Sequence, residues 1–471
     1  MRFIVQVRIE PDDTSDPTVV NVATIERGEL SSATLGLSIE DAKAVLAGVQ
    51  ETVVTEHCAS ALTAASTCEG CGRRLAHKDD QQLIVRTLYG KMTVSSPRWW
   101  SCPCQGGRRR PFTPLAVLLP ERSTPELGLV EAKLAAHTSY QAAGRLLGEL
   151  LPVGRRVHGN ETRRRVHHIG ERLDRELDDG DRDPYSFLTA TPRVLRALPR
   201  PDMPLIVTID GGYIHSSRQT SRRDGWFQAV CGTVTRHDGH VRRFGFVPSV
   251  DTHPRRRIHD TLHAQGMQPN QQVTFLADGA DDLAGWTELQ TETATYVLDW
   301  FHIAMRFTVL TNTMTGLQDD PTDDDLAGVA DILRDDLERA KWHVWHGNIH
   351  RALQLLGDTS CGLLGCDAND SRVKTAKMLD ELIVYVDRNQ ATIPNYAERR
   401  LAGEPISSAT AEATVNLVIA ARMVKKQQMR WSPLGAHRML QVRTHVLDDQ
   451  LDHDIHRWHP RTTDPNVALA A

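Results

Sequence analysis

The pattern of apolar and polar positions divides the first half of the chain into short strands followed by helices. Apolar residues alternate with polar ones over 3–9 and 19–25, which predicts two strands with one buried face each. Ser38 precedes the next apolar stretch and is a candidate N-cap for a helix. Short strands are expected between residues 68 and 104, and residues 124–177 have a helical pattern in three pieces.

After a segment with several prolines, the pattern changes to strands that are apolar throughout, as expected for strands buried on both faces. The predicted elements, in order, are the strands 205–210, 226–234 and 241–247, a helix at 258–267, the strand 273–277, a short helix, and the strand 295–298. Three strands, helix, strand, helix, strand is the element order of a ribonuclease H-like (RNase H-like) fold. Residues 301–402 then have the pattern of helices and loops, and a last helix is predicted at 410–428.

The composition is that of a globular protein, but the charge is unevenly distributed. Of 471 residues, 40% are hydrophobic and 24% are charged, and the net charge is −5. Residues 98–165 contain twelve Arg and Lys against five Asp and Glu, a local charge of +7, so the rest of the chain carries −12. A basic segment in an acidic chain predicts a region that faces nucleic acid. A solvated helix face would have the same composition.

The sequence contains no apolar run of the length that a membrane helix needs. Its longest apolar stretches, such as Leu115–Leu119, fall far short of about 20 residues. The first ten residues also lack the apolar core of a signal peptide. We therefore expect a cytoplasmic, nucleoid-associated protein whose eight cysteines are thiols or metal ligands rather than disulfides.

Two close cysteine pairs form the most specific short motif. They are Cys68 and Cys71, followed by Cys102 and Cys104. Four thiolates on tight turns can close a tetrahedral site, so the pairs predict a structural Zn²⁺ ion in a zinc-ribbon-like segment. Because the second pair is CxC rather than CxxC, His77 or Cys58 is an alternative fourth ligand. Unrelated buried cysteines are the alternative to any metal site.

A pattern like that of a helix-turn-helix occupies the basic region. Residues 139–168 are expected to form a helix, a turn and a second helix, with Asn160 as the N-cap of the second. That helix presents Arg163, Arg164 and Arg165 in its first turns, the part that enters the major groove in helix-turn-helix proteins. We therefore predict that the three arginines bind DNA, with a solvated helix face as the alternative.

Two acids at predicted strand ends form a candidate metal site. Asp210 ends the first strand of the predicted sheet, and Asp278 ends a later one. Ligand sites of open sheets lie at the carboxyl ends of strands, and carboxylate oxygens are the ligands that Mg²⁺ prefers. Glycines follow both acids, at 211–212 and 279, and permit the close approach of another backbone. The acids therefore predict a Mg²⁺ site, with turn or cap residues as the alternative.

Three longer motifs resemble a known family. They are TYVLDWFHIAMR at 295–306, GEPISSATAEATVN at 403–416 and RMVKKQQMRWS at 422–432. Each is similar to the corresponding stretch of bacterial insertion-sequence transposases of the ISKra group, and the resemblance extends over nearly the whole chain. It implies a DDE transposase with an α/β RNase H-like catalytic domain, two Mg²⁺ ions, and cleavage and transfer of DNA strands.

The resemblance also implies roles for individual residues. Asp210 and Asp278 match the first two catalytic acids of the family, and Glu412 matches the third. Asp299 and His302 resemble an Asp-x-x-His element of related transposases, in which His302 would be catalytic, but a helix cap is an equally good interpretation of Asp299. The basic end of the last helix adds three candidate DNA-binding residues, Lys425, Lys426 and Arg430.

The distance between the acids predicts a large insertion. Asp278 and Glu412 are 134 residues apart, and an all-helical insertion at 303–402 accounts for most of that length. The insertion carries Trp342 and Trp345 among three histidines, which we interpret as an amphipathic packing face. The expected segments are an N-terminal α+β segment (1–66), a zinc-ribbon-like segment (67–112), a helical DNA-binding region (113–180), a linker (181–204), the first RNase H-like part (205–302), the insertion (303–402), the final RNase H-like helix (403–445) and a C-terminal tail (446–471).

These features predict a transposase that acts on double-stranded DNA at transposon ends and target sites. It would have no membrane partner and would form a homo-oligomer in the synaptic complex. The alternative from another class is a DNA-binding regulatory protein with an inactive RNase H-like domain. A zinc hydrolase fits less well, because a site closed by four cysteines leaves no open coordination position.

Overall fold

The sheets and helices of this chain divide into two units. Unit 1 comprises Met1–Glu171 and Asp449–Ala471, and unit 2 comprises Arg172–Asp448. The structure is a computed structural model that describes residues 1–10, 16–106, 108–154, 158–179, 198, 203–217, 225–279, 294–318, 330–364, 370–407, 413–423 and 429–460. Most of the expected linker therefore lies outside the described residues. Among the helices in these ranges, none is long and apolar enough to cross a membrane.

Unit 1 begins with a two-stranded antiparallel ribbon packed on a long helix. Its elements are β1 (Arg2–Ile9), β2 (Thr18–Glu26) and α1 (Ile39–Ala65). Ser38 Oγ accepts a hydrogen bond from Asp41 N–H, and the Asp41 carboxylate accepts one from Ser38 N–H, so the predicted N-cap is confirmed as a capping box. Gly48 allows α1 to approach β2, because a Cβ there would lie 2.4 Å from the carbonyl oxygen of Val22.

The two long strands of a second antiparallel sheet lie between the two cysteine pairs. They are β3 (His77–Thr87) and β4 (Gly90–Trp100); the short β5 (Pro111–Phe112) and α2 (Pro114–Leu118) follow the second pair. A small core holds this sheet, α1 and α2 together, and its fully buried members are Leu83, Val85, Val94 and Leu115. Because His77 pairs with Trp99, the chain that precedes β3 and the chain that follows β4 meet at one end of the sheet.

The basic region is helical in three pieces, as the pattern predicts. The helices are α3 (Pro125–His137), α4 (Tyr140–Leu150) and α5 (Gly159–Asp179), and the boundary between the two units falls within α5. The prediction that Asn160 caps α5 is wrong, because the helix already begins at Gly159. A Cβ at position 159 would lie 3.0 Å from the backbone nitrogen of Gln141, so the start of α5 packs closely against α4. The expected C-terminal tail contains a helix, Leu451–Trp458, whose Asp452 forms an ion pair with Lys133 of α3 at 2.5 Å.

Unit 2 is built on a five-stranded mixed sheet. Its strands are β6 (Leu205–His215), β7 (Trp226–Thr235), β8 (Val241–Phe246), β9 (Val273–Ala277) and β10 (Ala294–Leu298). The spatial order is β10-β9-β6-β7-β8, in which β6, β7 and β8 are antiparallel neighbours and β9 and β10 run parallel to β6. The helix α6 (Pro254–Ala264) connects β8 to β9.

The strand β6 is longer than the sequence predicts. Asp210 was expected at its end, but β6 continues to His215 because β7 remains paired with it along that length. Pairing with β9 has its last partners at Thr208 and Leu276. Asp210 therefore lies in the middle of β6, just past the segment that pairs with the parallel strand β9.

The predicted insertion is helical. Its helices are α7 (Trp300–Gln318), α8 (Ala330–Trp345), α9 (Ile349–Leu364), α10 (Asp370–Arg388) and α11 (Tyr396–Leu401). Their apolar faces share one core with the ends of β9 and β10. Trp345 is buried, with its ring 4.7 Å from that of Trp300, so its predicted packing role is confirmed, whereas Trp342 is half exposed.

The chain returns to the sheet after the insertion. Residues 413–423 are helical and include a π-helix at Asn416–Ala420 followed by α12 (Ala421–Met423). The helix α13 (Pro433–Leu447), which packs on β8, was not predicted from the sequence. The flanking residues 408–412 and 424–428, which complete the predicted last helix, lie outside the described residues.

Candidate functional site

Three aspartates lie at one level across the parallel strands of unit 2. The register pairs Thr208 with Leu276, so Asp210 and Asp278, each two residues further along, occupy adjacent positions on β6 and just beyond β9. Asp299 continues this level directly after β10. Neighbouring strands are about 4.8 Å apart, so the backbones of Asp210 and Asp278 lie side by side.

The carboxylate of Asp210 is in an environment that disfavours its negative charge. Burial raises the pKa of Asp210, and the nearby charges of Asp278 and Asp299 also raise it. The N–H of Gly211, which donates to Asp210 Oδ1 at 2.6 Å, acts in the opposite direction, as does His302. The contributions that raise the pKa outweigh those that lower it, so the pKa of Asp210 lies above its ordinary value.

Asp299 has a structural role that accounts for its burial. Its side chain has no exposed surface, and its Oδ1 accepts a hydrogen bond from Phe301 N–H at 2.8 Å at the start of α7. Asp299 is therefore the cap of that helix. His302 lies one turn further on, with Nε2 3.7 Å from Asp299 Oδ2 and 21% of its side chain exposed.

The helical insertion holds the turn that carries Asp278. Tyr385 of α10 donates its hydroxyl hydrogen to the Asp278 carbonyl oxygen at 2.8 Å, and the Arg306 guanidinium lies 4.0 Å from the centre of the Tyr385 ring. Gly279 has a φ of +80°, and a Cβ there would lie 2.6 Å from Asn389 Oδ1. The close contact explains why glycine follows Asp278. Sequence analysis missed Tyr385, Asn389 and Arg306, because no local motif marks residues that meet only through the fold.

The helix that follows Glu412 packs beside Asp210. Glu412 itself lies outside the described residues. Val415, three positions later, and Ile419 contact β6 at Gly212, where a Cβ would lie 3.3 Å from a methyl group of each. Gly212 is thus part of a strand rather than of a turn, and its missing side chain makes room for this helix.

A buried arginine stabilises the irregular part of the same helix. Arg443 of α13 donates its Nε–H to the carbonyl oxygens of Val418 at 2.8 Å and Leu417 at 3.2 Å, within the π-helix. Burial, together with the charge of Arg422, lowers the pKa of Arg443 to about 10. A π-turn displaces carbonyl groups from regular helical bonding, so these bonds explain why a charged side chain is tolerated in this core.

The four cysteines of the CxxC and CxC pairs meet at one end of the β3–β4 sheet. Cys68 Sγ lies 3.4 Å from Cys104 Sγ, and Cys71 Sγ lies 3.4 Å from Cys102 Sγ. Within the described part of the chain, they are the only group of three or more His, Cys, Asp or Glu side chains whose donor atoms all lie within 4.8 Å of one another. A tetrahedron with Zn–S bonds of about 2.3 Å has sulfur atoms about 3.8 Å apart. The cluster could therefore bind a metal ion such as zinc.

The alternative zinc ligands are engaged elsewhere. His77 Nε2 lies 3.1 Å from Asp80 Oδ1, and Cys58 packs against the small core of the β3–β4 sheet. Within the cluster, a hydrogen bond from the Cys104 thiol lowers the pKa of Cys68 to about 7. The structure thus favours the set of four cysteines over a set completed by His77 or Cys58.

The three arginines of α5 have different environments. Arg163 and Arg164 are exposed. Arg165 instead forms a bidentate ion pair with Glu131, whose carboxylate has no exposed surface. Thr162 Oγ1 also donates to Glu131, at 3.2 Å. The prediction that all three arginines bind DNA therefore needs correction for Arg165, because its guanidinium neutralises a buried acid of α3.

The second candidate set of basic residues is described only in part. Lys425 and Lys426 lie outside the described residues. Arg430 is exposed next to Trp431. The backbone N–H of Trp431 donates to the carbonyl oxygen of His215, the last residue of β6, at 2.8 Å. Arg430 therefore lies beside the five-stranded sheet of unit 2.

Comparison with known proteins finds no family model that matches this chain and no curated protein of similar sequence.

Proposed function

We propose that this chain is a DDE transposase that cuts and transfers DNA strands at the ends of an insertion sequence, with an RNase H-like catalytic domain in unit 2. The observation that carries the proposal is the adjacent position of Asp210 and Asp278 on neighbouring parallel strands, beside the helix that follows Glu412. The strand order, three antiparallel strands and then two parallel ones on the far side of the first, is consistent with an RNase H-like sheet. The resemblance in the motifs at 295–306, 403–416 and 422–432 supports the same assignment.

The donor chemistry fits hard divalent cations. Asp210, Asp278 and Glu412 would hold two Mg²⁺ ions, which would supply Lewis-acid stabilisation of the attacking and leaving oxygens. The Gly211 N–H fixes the orientation of the Asp210 carboxylate, and Tyr385 fixes the backbone of Asp278. The partly exposed ring of His302 would accept or return a proton near the reacting oxygens.

The other features would bind DNA and hold the protein on it. The cysteine cluster would contain a structural Zn²⁺ ion, and the exposed guanidinium groups of Arg163 and Arg164 would contact phosphates. Lys425, Lys426 and Arg430 would extend the contact with double-stranded DNA. The protein would act in the cytoplasm on the nucleoid, as a homo-oligomer that brings two transposon ends together.

The test is Mg²⁺-dependent cleavage of DNA that contains the inverted repeats flanking the gene. Asp210→Asn and Glu412→Gln should each remove cleavage and strand transfer while leaving affinity for the end DNA intact. Glu404→Gln is the matched control for Glu412→Gln, because the half-exposed Glu404 carboxylate is engaged in an ion pair with Arg399 at 2.9 Å. Its activity should stay close to that of the wild type.

The alternative function gives a different result. If the wild-type protein binds these ends specifically but never cleaves them with Mg²⁺ or Mn²⁺, the chain is a DNA-binding regulatory protein. If Glu412→Gln alone remains active, the third acid lies elsewhere and the assignment of Glu412 is wrong.

A further inference from the structure

The N-terminal ribbon has an edge that is open for pairing. No described strand pairs with the outer edge of β1 or of β2. A two-stranded ribbon alone is marginally stable in water, and an open strand edge is a template for another strand. Phe3 and Ile4 of β1 are each about half exposed, at 48% and 51%. Because successive side chains of a strand point to opposite faces, Phe3 and Ile4 expose apolar area on both faces beside this unpaired edge.

The two edges of the ribbon differ in regularity. In the β1–β2 register, Val5 pairs with Ala23 and Gln6 pairs with Asn21, so Val22 is an extra residue on β2. A bulge of this kind twists the edge that contains it and hinders further pairing. The strand β1 has no extra residue, so its edge is the better template.

The sequence of β1 is complementary to itself in one antiparallel register. With Gln6 opposite Gln6 of a second copy, Arg2 faces Glu10, and the apolar Phe3 and Val5 face Ile9 and Val7. In this register odd-numbered residues face odd-numbered ones and even-numbered residues face even-numbered ones. The apolar faces of both ribbons therefore lie on the same side of the joint sheet. Sliding the register so that Val5 faces Val5 would instead place Arg2 opposite Arg8, a repulsive pair. Of these two registers, the charges favour the one centred on Gln6, which places Arg2 opposite Glu10.

We propose that two copies of this chain associate through β1, which forms a four-stranded antiparallel sheet across a two-fold axis with Gln6 at its centre. The arrangement is isologous, so the same edge serves both partners and no edge of β1 remains open. Each dimer contains two Arg2–Glu10 contacts between copies. Within the described part of one copy, Glu10 forms an exposed ion pair with Arg8 at 3.0 Å, which competes weakly with the intermolecular contact. This inference does not depend on catalytic activity.

The test is a charge swap in the full chain, with any tag at the C-terminus, followed by sedimentation analysis of the dimer dissociation constant. Arg2→Glu and Glu10→Lys should each weaken the dimer about tenfold or more, because two attractive contacts become repulsive. The combined variant Arg2→Glu/Glu10→Lys should restore the affinity to within about threefold of the wild type. Arg8→Glu is the control, since its partner in this register is Ile4, and it should not weaken the dimer.

All substituted residues are exposed, so circular dichroism should show an unchanged fold in every variant. Three results would overturn the inference. They are a wild-type protein that stays monomeric at high micromolar concentration, a dimer that the single substitutions leave unchanged, and single substitutions that weaken the dimer without restoration in the combined variant.

Discussion

Removal of the metal from the cysteine cluster should unfold one end of unit 1 and leave unit 2 intact. The cluster joins the turn at residues 68–71 to the segment at 102–104, and β3 and β4 between them pack on a small core that includes Leu83, Val85 and Val94. Binding of structural zinc to four cysteines is worth about 10–16 kcal/mol. That is comparable with the total stability of an ordinary domain, about 5–15 kcal/mol. The β3–β4 sheet should therefore lose its protection when the metal is removed.

The assay combines metal analysis with hydrogen exchange. Purified wild-type protein should contain about one Zn²⁺ ion per chain, as one closed four-ligand site requires. Cys68→Ser should reduce the zinc content to near zero and expose the amides of β3 and β4 to rapid exchange, while the amides of β6 and β9 remain protected. Cys361→Ser is the matched control, because Cys361 is an exposed thiol of unit 2 outside the cluster.

Two results would refute this reasoning. Wild-type protein without zinc, purified in the absence of chelators, would show that the four thiols only pack together. A Cys68→Ser protein with full zinc occupancy would show that the ligands have been assigned to the wrong residues.

Two further predictions concern the buried charges of the structure. Arg165→Ala should destabilise the protein by about 3–5 kcal/mol in urea unfolding, because it leaves the buried Glu131 without its ion pair. Arg163→Ala should change the free energy of unfolding by less than about 0.5 kcal/mol. It should also reduce the slope of log K for DNA binding against log salt concentration by about 0.9. Equal stability of the Arg165→Ala and Arg163→Ala proteins would contradict the different roles assigned to the two arginines. Burial opposes ionisation of Asp174, but a hydrogen bond with His437 and the charge of Arg257 outweigh it and lower the pKa of Asp174 from 3.8 to about 2. The charged form thus stabilises the fold above pH 3.8, so in acid titrations the stability advantage of the wild type over Asp174→Asn should shrink as the pH falls towards 2.

The sequence by itself determined several local elements and the two cysteine pairs of the candidate metal site. Alternation of apolar residues predicts β1 and β2, the capping signal at Ser38 predicts the start of α1, and the continuous apolar run at 273–277 coincides with β9. The paired spacing of the cysteines predicted a metal site, but only the structure decided for Cys104 over His77 or Cys58 as the fourth member of the cluster. These features depend on residues close together in the chain, where period, cap and spacing carry the information.

Only the tertiary structure decided how distant residues are combined. The level shared by Asp210 and Asp278 follows from the parallel register of two strands whose paired residues, such as Thr208 and Leu276, are 68 positions apart in the chain. The hydrogen bond of Tyr385 with Asp278 joins residues 107 positions apart. The ion pair of Arg165 with Glu131 gives this arginine a different environment from that of its exposed neighbours Arg163 and Arg164. Such contacts depend on which faces of the elements pack together, and a local pattern specifies that an element has a buried face but not which element will cover it.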